Sequence, residues 1–114
     1  MTSAVSAPVL HILLALSDRP RHGYAIIQEI ERQTRASVRL GTGTLYSALK
    51  RLREDGLIEE AEDPEGARTG NRPRRTYKLT RRGRSELAQQ TERLAVLVDH
   101  ARQKNALPVP RTAS

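Results

Sequence analysis

The stretch GTGTLYSALKRLREDG, residues 41–56, constrains this chain more than any other. Leu45, Ala48, Leu49 and Leu52 recur three and four residues apart, so one face of a helix is apolar. Thr42 is a candidate N-cap, because its hydroxyl can accept from the free N–H groups of a first turn. Gly56 suits the left-handed residue that closes a helix, so the helix is expected to end near Asp55. Gly43, Tyr46, Ser47, Lys50 and Arg51 then fall on the outer or flanking faces. Glycines and threonines before a helix can also mark a nucleotide loop. A P-loop, however, requires G-x-x-x-x-G-K-[ST] after a strand, and "GTG" alone is not G-x-G-x-x-G.

The neighbouring segments decide what this helix belongs to. PVLHILLALS, Pro8 to Ser17, reads as a short helix, and DRPRHG, Asp18 to Gly23, as a turn. YAIIQEIERQT, Tyr24 to Thr34, is amphipathic through Ile26, Ile27 and Ile30. Leu57 to Glu62 and Arg75 to Thr80 read as strands joined by a long tip rich in Gly, Pro and Arg. Thr80 can cap a last helix that runs to about Lys104, striped by Leu87, Thr91, Leu94, Val98 and Ala101. Two helices across a short connection followed by a hairpin make a winged helix-turn-helix. The expected fold is mainly α with a small β-hairpin. The winged domain is expected to span 8–84 and a separate last helix 85–105, and the ends at 1–7 and 106–114 are expected to be disordered.

Charge points to the partner. The 114 residues carry a net charge of +7, and there is no Cys, Phe or Trp. Between Pro64 and Arg84, eight basic residues face one acid, Glu65, which accounts for the whole excess. A solvated loop can look like this. So does the footprint of a polyanion-binding surface. Without thiols there is no disulfide framework and no thiolate metal site. His11, His22 and His100 sit in separate elements without metal-ligand spacing. The Pro8–Leu16 run is too short to span a bilayer and lacks a preceding basic region. A cytoplasmic protein with no metal, no cofactor, no membrane contact and no enzymatic site is expected.

These residues resemble the PadR-type transcriptional regulators. The resemblance rests on ILLAL (Ile12–Leu16), RHGYAI (Arg21–Ile26), GTLYSALKRLREDGLIE (Gly43–Glu59) and YKLTRRG (Tyr77–Gly83), and covers about residues 8 to 100. The single last helix resembles the short class of the family. Thr42 stands where the family often has Pro, and Thr76–Tyr77 where it often has two tyrosines. The resemblance implies a homodimeric repressor that binds a palindromic operator and answers a small molecule or another cue.

On that reading the helix at 43–55 enters the major groove and the basic wing at 63–75 follows the backbone. Lys50 matches guanine O6/N7, and Ser47 permits close approach. Thr42 and Thr44 stand at the positive helix end for backbone phosphates. Tyr46 is either a phosphate contact or a rim residue packed on the neighbouring helix. Lys50 and Arg51 either read a base or touch phosphate only. His22 is either a turn residue or a phosphate contact. Arg68, Arg72, Arg74 and Arg75 would run along the backbone or a narrow minor groove. Tyr24 and Tyr77 are expected in the core. Leu94 to Val98 is apolar on several sides, so Leu87, Leu94, Leu97, Val98 and Ala101 are expected to meet a second copy, with Leu13 of the first helix beside them. An RNA-binding or protein-docking winged helix is the alternative. RNA recognition usually stacks bases on aromatics, and tyrosines expected to be buried argue weakly against it.

Overall fold

The computed structural model describes residues 7–62 and 75–108. The elements run α1 (Ala7–Ala15), β1 (Arg21–His22), α2 (Gly23–Gln33), α3 (Thr42–Glu54), β2 (Ile58–Ala61), β3 (Thr76–Leu79) and α4 (Arg81–Gln103). This is a winged helix-turn-helix with a long last helix. No helix among the described residues is long and apolar enough to cross a membrane.

The expected hairpin is formed by β2 and β3, and β1 adds to it, so that the sheet among the described residues has three antiparallel strands in the order β1-β3-β2. Arg21 pairs with Tyr77, and Tyr77 with Glu60 on its other side. Residues expected to form only a turn therefore supply an edge strand. Two residues are too few to show alternation, which is why the sequence did not reveal it.

The core is built almost wholly from aliphatics. Ile12, Leu13 and Leu16 pack with Ile26 and Ile30 of α2 and with Leu45, Leu49 and Leu52 of α3. Each buried side chain of this kind contributes about 1.5–3 kcal/mol relative to exposure. Tyr77 is the aromatic member, at 3% exposure.

Polar caps lock the helices to one another. Gly56 takes φ 75°, and the Leu57 N–H returns to the Leu52 carbonyl at 2.9 Å, closing α3. Thr80 Oγ1 accepts from the Gly83 N–H at 3.0 Å and donates to the Gly56 carbonyl at 2.6 Å. One hydroxyl thus joins the end of α3 to the start of α4. Arg21, 8% exposed, donates to the Ala15 carbonyl at 2.5 Å and to Asp18 at 2.6 Å, and its guanidinium lies 3.6 Å from Glu29. It satisfies an end carbonyl of α1 and ties that helix to α2. The Arg21 hydrogen bond holds the Asp18 carboxyl below its ordinary range. Glu29 is lowered too, first by its hydrogen bond from Arg32 and then by Arg21, against an opposing effect of burial.

Candidate nucleic-acid interface

α3 is fastened by its leucine face and leaves the opposite face in solvent. Gly43, Thr44, Tyr46, Ser47, Lys50 and Arg51 are all exposed, as the helical register predicts. No described residue lies within 4 Å of a β-carbon built on Gly43, so packing among the described residues does not demand glycine there. The missing side chain leaves that surface open to close approach by an outside partner.

The start of α3 differs from the expectation. Gly41, not Thr42, is the N-cap, and as a glycine it offers no side-chain cap. Thr42 is the first helical residue, so its hydroxyl does not stand at the capping position. The first-turn residues Thr42, Gly43 and Thr44 are exposed at the positive end of the helix, where anions bind favourably.

Beside this face lies an open recess of about 370 Å³ lined by His22, Gly23, Tyr24, Tyr46 and Arg75. It joins the start of α2, one flank of α3 and the base of the wing. His22 caps α2, its Nδ1 accepting the Ala25 N–H at 3.3 Å. Tyr24 is 64% exposed and not in the core. The α2 register carried this signal, since residue 24 lies opposite Ile26 and Ile30. Tyr46 is 51% exposed while its ring end rests over Gly23, so it is both rim-packed and accessible.

The wing is represented at its base. Arg75 is exposed at the start of β3, 3.8 Å from Glu60. Arg68, Arg72 and Arg74 lie outside the described residues. Arg53, at the end of α3, was not among the expected contacts. It stands on the same flank as Tyr46 and donates to Glu60 at 2.8 Å.

The residues expected at a second copy divide in two. Leu13 is fully buried and Leu87 is 8% exposed, both in the protomer's own core, so neither offers a partner surface. Leu94, Leu97 and Val98 are 45%, 65% and 38% exposed, and Ala101 is half-buried. Leu14 of α1, rather than Leu13, is the exposed large hydrophobic of its helix, at 40%. The α1 register places it opposite Ile12 and Leu16, so this too was readable.

The profile of the transcriptional regulator PadR-like family matches residues 12–89, from the end of α1 into α4. The chain belongs to the PadR-like family of transcriptional regulators. A transcriptional regulator of Mycobacterium tuberculosis is 37% identical over 89 residues, 77% of this chain and 76% of that one. Among solved structures, a PadR family regulator from Clostridium difficile is similar with a TM-score of 0.71 and 26% identity, covering 86% of this chain and 97% of that one. Bacillus subtilis PadR, determined in complex with operator DNA, shares the fold with a TM-score of 0.61 at 21% identity, covering 96% of this chain and 53% of that one. Membership in the PadR-like family places the chain among regulators, not enzymes.

Proposed function

We propose that this PadR-like chain is a repressor that binds a palindromic operator as a homodimer. The exposed, cationic outer face of α3 carries the reading. Lys50 reads a base edge at its centre, Ser47 and Gly43 permit close approach, and Thr42, Thr44 and Arg51 meet backbone phosphates. Tyr46, His22 and Arg75 contact the backbone from the recess, and the basic segment at 63–75 extends the contact. The relative from Bacillus subtilis, seen with operator DNA, supports the class of partner.

Leu94, Leu97 and Val98 are proposed to meet a second copy, with Ala101 and Leu14 at their edge. A two-fold dimer would place half-sites about 10 bp apart. A small-molecule effector would sit between the last helices. No aromatic residue follows Tyr77, so stacking of flat drugs there is not expected. Micromolar binding of planar dyes at that interface, measured by calorimetry, would contradict this.

Footprinting on the DNA beside its own gene, at two salt concentrations, tests the reading. With about five phosphate contacts per subunit, log affinity should fall against log salt with a slope of order −9. Lys50→Ala should cost about 1–3 kcal/mol on the preferred site and relax its sequence preference. An unchanged preference would remove Lys50 from the centre of the interface.

A second reading gains support from Tyr24 and Tyr46. Both are more than half exposed, so the argument against RNA from buried tyrosines no longer holds. Binding compared between duplex DNA and structured RNA of equal length separates the two.

A further inference from the structure

The flank of α3 that carries Arg53 meets the Glu60 carboxylate. Glu60 Oε1 accepts from Arg53 Nη1 at 2.8 Å and lies 3.8 Å from Arg75 Nε. The register produces this arrangement. Glu60 pairs with Tyr77 across the sheet, and Arg75, two residues before Tyr77, shares its face. The preceding acid, Glu59, points to the opposite face and lies 3.5 Å from Lys78. The two glutamates are almost equally exposed, 49% and 54%. They differ in which face of β2 they occupy, and only Glu60 touches α3 and the wing base together.

We propose that Glu60 is a positioning residue for DNA recognition, holding Arg53 and Arg75 in one shared orientation and so favouring the operator over arbitrary duplex. The inference rests on the DNA-binding reading above. An exposed ion pair adds little to stability, and an acid beside a cationic surface repels phosphate. Stability therefore gives little reason for an acid at this position. A guanidinium held on one edge by a carboxylate presents its remaining N–H groups in a set direction. Released, the same long side chain pairs with any phosphate in reach. A duplex whose phosphates already lie along those directions docks without rearrangement. One whose phosphates lie elsewhere must break the pairs and meet the Glu60 charge, which is discrimination by repulsion as well as attraction.

The test uses a duplex enriched from a random-sequence pool by the wild-type protein, beside an unselected duplex of equal length. Glu60→Ala and Glu59→Ala remove the same charge from the same strand. Glu60→Ala should bind the unselected duplex about three- to tenfold tighter and lower the selected-to-unselected ratio about tenfold. Its melting temperature should stay near that of the wild type. Glu59→Ala should move both affinities together and leave the ratio in place. A ratio unchanged in Glu60→Ala, or lowered equally by Glu59→Ala, overturns the proposal while leaving DNA binding intact. If no duplex is enriched at all, DNA binding and the role of Glu60 fall together.

Discussion

Tyr46 occupies the space where a side chain on residue 23 would begin. A β-carbon built on Gly23 would come within 2.5 Å of the Tyr46 hydroxyl oxygen and 2.9 Å of Cζ. The clash is with the free end of a side chain, which can swing away, and alanine is a better helix former than glycine. Gly23→Ala should therefore keep or slightly raise the melting temperature. It should also displace the tyrosine from the recess and weaken duplex binding about as much as Tyr46→Ala does. Wild-type affinity in both variants would show that the recess takes no part in binding.

Gly83 is constrained differently. A β-carbon there would collide with the backbone carbonyl of Leu57, which the Thr80 N–H also holds at 3.1 Å. Backbone on both sides leaves nothing free to move. Gly83→Ala should cost about 1–3 kcal/mol in urea unfolding, the scale of overpacking a closed site. A loss below a few tenths would mean that α4 can shift away from the end of α3.

The exposed part of α4 separates assembly from folding. Leu94→Asp should leave the melting transition of the protomer in place and give monomers in sedimentation. Leu87→Ala, deeper in the protomer, should instead cost about 2–5 kcal/mol of stability. Dimers that persist in Leu94→Asp would remove this helix from the interface.

Glu29 sets a pH dependence. Its carboxyl lies below the ordinary value of 4.5 because Arg32 and Arg21 favour the charged form. Folding therefore gains stability that is complete above pH 4.5 and is lost as the pH falls through the lower, folded value. Unfolding followed from pH 6 to 3 should show this loss, and Glu29→Gln should flatten the profile there. A Glu29→Gln profile with the wild-type slope would assign the acid sensitivity to other carboxylates.

Helix α3, its leucine face and the Gly56 closure were legible because a 3.6-residue period and a glycine with positive φ are local properties. Thr80 was legible as a cap for the same reason. Tyr24 and Leu13 were misplaced although the registers of α2 and α1 already put Tyr24 outside and Leu13 inside. β1 and Arg53 carried no comparable signal: a two-residue strand has no period, and Arg53 acquires its meaning only from Glu60.

The order of the helices and of β2 and β3, the outward face of α3 and the concentration of charge near the wing follow from the sequence alone, since periodicity and charge are written residue by residue. Tertiary structure decided the rest. It placed Arg21 in the core as a link between helices, buried Leu13 instead of Leu14, brought Tyr46 onto Gly23, and set Glu60 between Arg53 and Arg75. Each of these depends on how far apart two elements stand and which faces they turn to each other. Those distances arise only when the helices and the sheet close on one core.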